Sequence, residues 1–165
     1  MKKLFVCLLL ISSVVSNSQM VTVKSPDGNI ELSAFADNGF TYMVNYKGKP
    51  VVLPSALSFK LKEPEAELRL FTVEKIDSSV FDETWKPVWG EYSAIRNHYK
   101  EVRFSLKDKN GSDILLNIIF RVFNEGVGFR YEFPQQPKLT HFVVADERSQ
   151  IKLAGDHKTF WIPGD

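Results

Sequence analysis

An antiparallel β-sandwich of two sheets is the fold that this sequence predicts, and three observations predict it. Apolar residues alternate with polar ones at period two in several stretches. Turn-forming residues punctuate those stretches. No stretch carries an amphipathic helical period over a convincing length. The 165 residues are enough for one domain of ordinary size, able to bury ~70% of its unfolded surface. With 44% apolar and 25% charged residues the composition is in the globular range, which argues against a disordered tail. A net charge of +1 leaves no basic excess for nucleic-acid binding. The single cysteine excludes an internal disulfide and a Cys-rich zinc site.

The first segment is an address rather than structure. Lys2 and Lys3 form a positive start, Leu4 to Val15 is an apolar run broken only by Ser12 and Ser13, and Ser16-Asn17-Ser18 is a small-residue cleavage pattern. Residues 1–18 therefore read as a secretory signal peptide, cut between Ser18 and Gln19. The run is too short to cross a bilayer of ~30 Å as a helix, so no transmembrane segment is expected. Cys7 falls in the discarded part, and the expected location is the periplasm. Residues 19–165 are the domain.

The elements then follow in order. Pro26-Asp27-Gly28-Asn29 and Asp37-Asn38-Gly39 are turns. Phe40 to Tyr46 is a strand with Phe40, Tyr42, Val44 and Tyr46 on one face, ended by the turn Lys47-Gly48-Lys49. Glu63 to Glu67 is an acidic loop. Glu101 to Lys107 alternates, with Val102, Phe104 and Leu106 on one side. Asn110-Gly111-Ser112 matches a glycosylation sequon but is explained as a turn. Ile114 to Phe123 is the most apolar strand, with Ile114, Leu116, Ile118, Phe120 and Val122 on one face and a mixed set opposite. Asn124-Glu125-Gly126 turns the chain into Phe129 to Phe133. Thr159 to Ile162 reads as a last strand before Pro163-Gly164-Asp165. About ten short strands with regular turns suggest the sandwich, with a barrel as the alternative. The sequence stops within a turn, so the expectation is an N-terminal part of a longer protein.

The stretch most apt to carry function runs from Phe81 to Tyr99. It holds Trp85, Trp89, Glu83, Glu91, Arg96 and His98, interrupted by Pro87 and Gly90, and reads as a structured loop or an irregular strand pair. Indole faces beside Glu and Arg suit the stacking and hydroxyl bonding of a sugar. The competing reading is packing: both indoles plug the sandwich end or a domain interface, and Arg96 pairs with Glu83 or Glu91. Paired carboxylates serve glycoside hydrolysis, and Glu83/Glu91 and Asp146/Glu147 are nominal pairs. His98, His141 and His157 lack metal-ligand spacing. These residues alone do not make an active site.

Several longer motifs resemble the N-terminal domain of glycoside hydrolase family 97. They are Phe81 to Glu91 with Ile95-Arg96-Asn97-His98-Tyr99, Phe120 to Pro134, and Trp161-Ile162-Pro163-Gly164-Asp165. Ser25-Pro26-Asp27-Gly28 and Tyr46 to Val52 fit as well. The likeness covers essentially all of residues 19–165 and is greatest to the α-glucosidase of a Bacteroides starch-utilisation system. It implies a galactose-mutarotase-like supersandwich, incomplete here, followed in the full protein by a catalytic (β/α)₈ barrel that this sequence lacks. It implies that the barrel carries the catalytic carboxylates and most ligands of a calcium ion. It places no catalytic or metal residue on this chain, and no calcium on this part alone. The implied role is a scaffold that packs on the barrel and closes the sugar pocket of an exported enzyme acting on terminal α-glucosidic bonds of starch-derived oligosaccharides. Trp85, Trp89, Arg96 and Trp161 are the candidate rim or interface residues. The alternatives are an α-galactosidase of the same family, a stand-alone carbohydrate-binding module, and a non-enzymatic adhesin.

Overall fold

Alternation at period two becomes twelve strands and no helix among the residues that the computed structural model describes, which are 20–158, 160–162 and 164. The leader expected over residues 1–18 lies outside the described residues. The chain first makes an up-and-down run of β1 (Val21–Lys24), β2 (Ile30–Ala36), β3 (Phe40–Tyr46) and β4 (Lys49–Leu57). A small hairpin of β5 (Phe59–Glu63) and β6 (Ala66–Leu68) comes next. A second meander follows: β7 (Phe71–Trp85), β8 (Ile95–Asp108), β9 (Leu115–Val122) and β10 (Val127–Glu132). Finally β11 (Val143–Glu147) returns to pair with β5, and β12 (Lys152–Leu153) pairs with β4.

The pairings are all antiparallel. They give a five-stranded sheet ordered β1-β2-β3-β4-β12, a four-stranded sheet ordered β10-β9-β8-β7, and a three-stranded sheet ordered β11-β5-β6. The sheets stay open at their edges, so the fold is a sandwich and not a closed barrel. The third small sheet goes beyond the two expected. It arises where the chain steps from β4 through Ser58 into β5, and the Arg148 N–H then binds the Ser58 carbonyl at 2.9 Å. Of the strand expected over Thr159–Ile162, the described residues Phe160, Trp161 and Ile162 lie outside any strand and stand in solvent. Thr159, Pro163 and Asp165 lie outside the described residues. A strand needs a neighbour to take its backbone hydrogen bonds, and none of the described strands runs beside this segment.

Aromatic rings hold the two larger sheets together. Phe40 meets Phe104 edge-on at 5.0 Å between centroids and lies 6.2 Å from Phe120. Tyr42 lies 5.5 Å from Phe120 and 5.8 Å from Phe129. Phe40, Phe104 and Phe120 are fully buried, as are Leu32, Leu57, Leu106, Leu116 and Ile118 around them. Geometries of this kind add about 0.5–1.5 kcal/mol per pair beyond the burial of the rings.

The first turn shows why its sequence is Ser-Pro-Asp-Gly-Asn. Buried Ser25 donates its hydroxyl to Asp27 Oδ1 at 2.5 Å and accepts the Ile30 N–H at 3.0 Å. Asp27 Oδ1 also accepts the Asn29 N–H, while Gly28 takes φ of 77°, the left-handed region open to glycine. The Asp27 N–H donates to Asn124 Oδ1 at 3.0 Å and so ties this turn to the β9–β10 turn. Asn110 donates its side-chain amide to the Glu67 carbonyl at 2.9 Å and Ser112 bonds Asp108, in keeping with the turn reading of the sequon.

Two outcomes are expected. Phe120→Ala removes the ring shared by four aromatic contacts and should lower the unfolding free energy by about 3–5 kcal/mol in urea denaturation. Arg103 donates to Glu132 at 2.7 Å, and this bond, with one from Asn117, holds the Glu132 carboxyl below the usual range. Its contribution is complete above the unfolded pKa of ~4.3 and is lost as pH falls through the depressed folded value. Glu132→Gln should flatten the acid limb of a stability-against-pH curve there and leave its shape near neutrality unchanged.

Candidate functional site

Strands β7 and β8 pair from Phe71↔Asp108 to Trp85↔Ile95, whereas β9 pairs with β8 only from Lys107 back to Lys100. The hairpin therefore overhangs its sheet from Phe81 to Tyr99. Its five paired positions reach about 17 Å past the β9 edge before the tip loop begins. The expected structured loop or irregular strand pair is thus a regular two-stranded arm. The strand of Glu101–Lys107 continues back to Ile95, but its apolar residues change sides: Val102, Phe104 and Leu106 face the core, whereas Tyr99 and Ile95 lie on the opposite face.

The register sorts the arm into two faces. Phe81 pairs with Tyr99, Glu83 with Asn97, and Trp85 with Ile95, so these share one face. Phe81 stacks on Tyr99 at 5.1 Å and 21°, and Tyr99 touches Phe123 at 5.1 Å. The Arg121 guanidinium lies 4.4 Å above the Tyr99 ring and donates to Glu101 at 2.8 Å. Tyr99 is buried by these neighbours and anchors the base of the arm to the sheet. Farther out the same face is open, with Trp85 48% exposed.

The other face is ionic. Arg96 donates Nε and Nη2 to the two oxygens of Asp82, at 2.7 and 2.6 Å, and His98 Nε2 lies 4.0 Å from Asp82 Oδ2. The Arg96 hydrogen bonds hold the Asp82 carboxyl below the carboxylate range, and Asp82 raises Arg96 in return. The pair is solvent-exposed, so it sets side-chain geometry more than it adds stability. Arg96 was expected to pair with Glu83 or Glu91. The register overrules this, because Asp82 and Arg96 share a face while Glu83 points to the opposite one.

At the tip, Gly90 takes φ of 136° and lets the chain turn. Val88 is fully exposed, Trp89 is 88% exposed and Tyr92 is 69% exposed. Neither indole plugs the end of the sandwich. Four large apolar side chains, Trp85, Val88, Trp89 and Tyr92, stand free on one projection, an arrangement that marks a contact surface. Val88 and Tyr92 had no signal in the sequence, since one exposed Val or Tyr in a loop resembles any other. Trp161 is exposed too, in the segment that follows β12.

The structure assembles no acid–base pair from the nominal carboxylates. Asp146 and Glu147 are adjacent on β11 and project to opposite faces. Asp146 accepts Arg148 Nε at 2.7 Å, Arg148 also binds Glu67, and Glu147 accepts the Ser149 hydroxyl at 2.8 Å. Asp27, Asp82, Asp113 and Glu132 are all held below the ordinary range, Asp113 at about 2 by Lys138 and Lys107. A general acid at neutral pH needs the opposite shift. Among the described residues no three His, Cys, Asp or Glu side chains converge as metal ligands. No described helix is long and apolar enough to cross a membrane.

Three comparisons place this geometry. Among curated proteins, the retaining alpha-galactosidase of Bacteroides thetaiotaomicron is 26% identical over 134 residues, covering 79% of this chain and 19% of that protein. Among solved structures, a glycoside hydrolase family 97 enzyme in complex with acarbose, from Pseudoalteromonas sp. strain K8, matches with a TM-score of 0.76 at 29% identity. It covers 81% of this chain and 20% of that one. A variant from the same strain in complex with panose gives a TM-score of 0.75 at 28% identity over the same shares. The chain thus spans about a fifth of the length of these relatives. The family model described as glycosyl-hydrolase 97 N-terminal matches residues 23–165, and the chain belongs to that family.

Proposed function

We propose that this chain is the N-terminal scaffold and pocket-closing part of an exported glycoside hydrolase that removes terminal α-glucosyl units from starch-derived oligosaccharides. The observation that carries the reading is the overhanging arm. Its base is pinned by Tyr99, Phe123 and Arg121, and its tip presents Trp89, Val88 and Tyr92 to solvent. A rigid base with an apolar tip suits docking on a second unit, here the catalytic barrel of the same polypeptide. Trp and Tyr side chains that become buried on docking dominate interface energetics. In this reading the catalytic carboxylates and the calcium ligands are supplied from outside the described residues. The chain's own part is mechanical: it orients the arm and excludes water at the pocket rim. The signal-peptide pattern of residues 1–18 supports export to the periplasm.

The sugar is assigned to glucose because related family 97 structures hold panose and acarbose. A second reading, an α-galactosidase, is favoured by the Bacteroides relative. The two separate in one assay: the full-length gene product is expected to release nitrophenol from a nitrophenyl α-glucoside much faster than from the α-galactoside. The reverse ratio assigns the galactosidase. Residues 1–165 alone are expected to release no glucose from maltose, and release would overturn the division of labour. In the full-length enzyme Trp89→Ala should cost about 2 kcal/mol of docking, a roughly 30-fold loss of the closed state. Limited proteolysis at the junction together with kcat/KM reads this, and unchanged values for both would remove Trp89 from the interface.

A further inference from the structure

The register carries the open face of the arm onto the outer face of the four-stranded sheet. Its rows run Trp85 with Ile95, then Glu83 with Asn97, then Phe81 with Tyr99 and Phe123, then Glu101 with Arg121. Gly128 of β10 pairs with Arg121 and ends the last row. From Ile95 to Glu101 this strip spans about 20 Å. Trp85 and Phe81 keep 48% and 36% of their surface open. Glu83 and Asn97, in the row between them, stay unpaired among the described residues, whereas Asp82 and Arg96 on the opposite face satisfy each other.

At the far end of the strip, Arg121, Phe123 and Arg130 border a hollow of about 290 Å³ over Gly128. Arg121 spends only Nε, on Glu101. Arg130 lies 3.8 Å from the Glu132 carboxylate, beyond hydrogen-bond distance. Glycine at 128 answers neither a clash nor a left-handed turn: a Cβ there meets nothing within 4 Å, and the residue lies in β10 as extended strand. What the missing side chain leaves is the hollow, with guanidinium donors on its rim.

The pattern separates the ligand classes. A docking face for protein has a continuous apolar centre, and on this strip polar rows alternate with aromatic ones. A polyanion needs one sign of charge, and the strip carries Glu83 and Glu101 beside Arg121 and Arg130. A pyranose presents both kinds of surface. Its C–H faces lie on aromatic rings, and its hydroxyls accept from guanidinium and carboxamide and donate to carboxylate. We propose that this outer strip binds an extended neutral oligosaccharide, with sugar rings on Trp85 and Phe81, hydroxyls on Glu83 and Asn97, and one further ring in the Gly128 hollow between Arg121 and Arg130. This goes beyond the docking role given to Val88, Trp89 and Tyr92 at the arm tip. The choice of an α-glucan as the probe rests on the glucosidase reading.

The test is affinity electrophoresis of the full-length gene product in gels containing soluble starch, with hydrolysis of maltose measured alongside. The wild-type protein is expected to be retarded by starch and not by heparin. Trp85→Ala, Asn97→Ala and Gly128→Leu should each weaken starch binding about tenfold. Phe160→Ala, which removes a ring 94% exposed outside the sheets, should leave binding unchanged. Arg130→Ala reads the same hollow as Gly128→Leu without adding bulk, and melting temperatures check that each variant is folded. Absence of retardation overturns the proposal, as does retardation that Trp85→Ala leaves intact. Weakening by Trp85→Ala but by neither Gly128→Leu nor Arg130→Ala confines the sugar to the arm and overturns the strip. Retardation by heparin in place of starch assigns the face to a polyanion and also overturns it. An enzyme active on maltose that starch does not retard rejects the strip and spares the function. A retarded protein without activity on maltose does the reverse.

Discussion

The interlock of Phe40 and Tyr42 with Phe104, Phe120 and Phe129 is the contact on which the rest of the molecule depends. It joins the five-stranded to the four-stranded sheet through rings alone. The interior there is closed by Leu32, Leu57, Leu106 and Ile118, and no charge is needed to hold it. Strand β8 passes through this interlock at Phe104 and emerges as one side of the arm at Ile95. Because the strand is continuous, the orientation of the arm is set by the packing of the core.

Polar contacts have a different task. The ion pairs Arg103–Glu132, Arg121–Glu101 and Arg96–Asp82 lie on outer faces or on the arm, where solvent screens them and they add little stability. What they add is register. Glu101 holds Arg121 over Tyr99, Tyr99 holds Phe81, and the arm leaves the sheet at a fixed place. Asp27 and Asn124 likewise tie together two turns that are distant in sequence.

Two regions leave large apolar groups in water: the arm from Trp85 to Tyr92, and an apolar trough beneath β10. The charges fix geometry on the outer faces, while the free apolar surface lies at the arm tip and at a sheet edge.

The sequence by itself determined the strands and most of the turns. Alternation depends on side-chain direction along a single strand, and Gly28 or the Asn124–Gly126 turn needs only local backbone preferences. The same local signal failed at Phe160–Ile162, where a strand-like run has no neighbour to pair with among the described residues. The resemblance to the family was legible from motifs, because turn and arm sequences are specified residue by residue. Only the tertiary structure decided that Arg96 meets Asp82, that Trp85 and Trp89 are free rather than packed, and that β10 is an open edge above an apolar trough. Each of these depends on which strands lie side by side and in what register, and that is a relation between distant segments which period-two alternation leaves unstated.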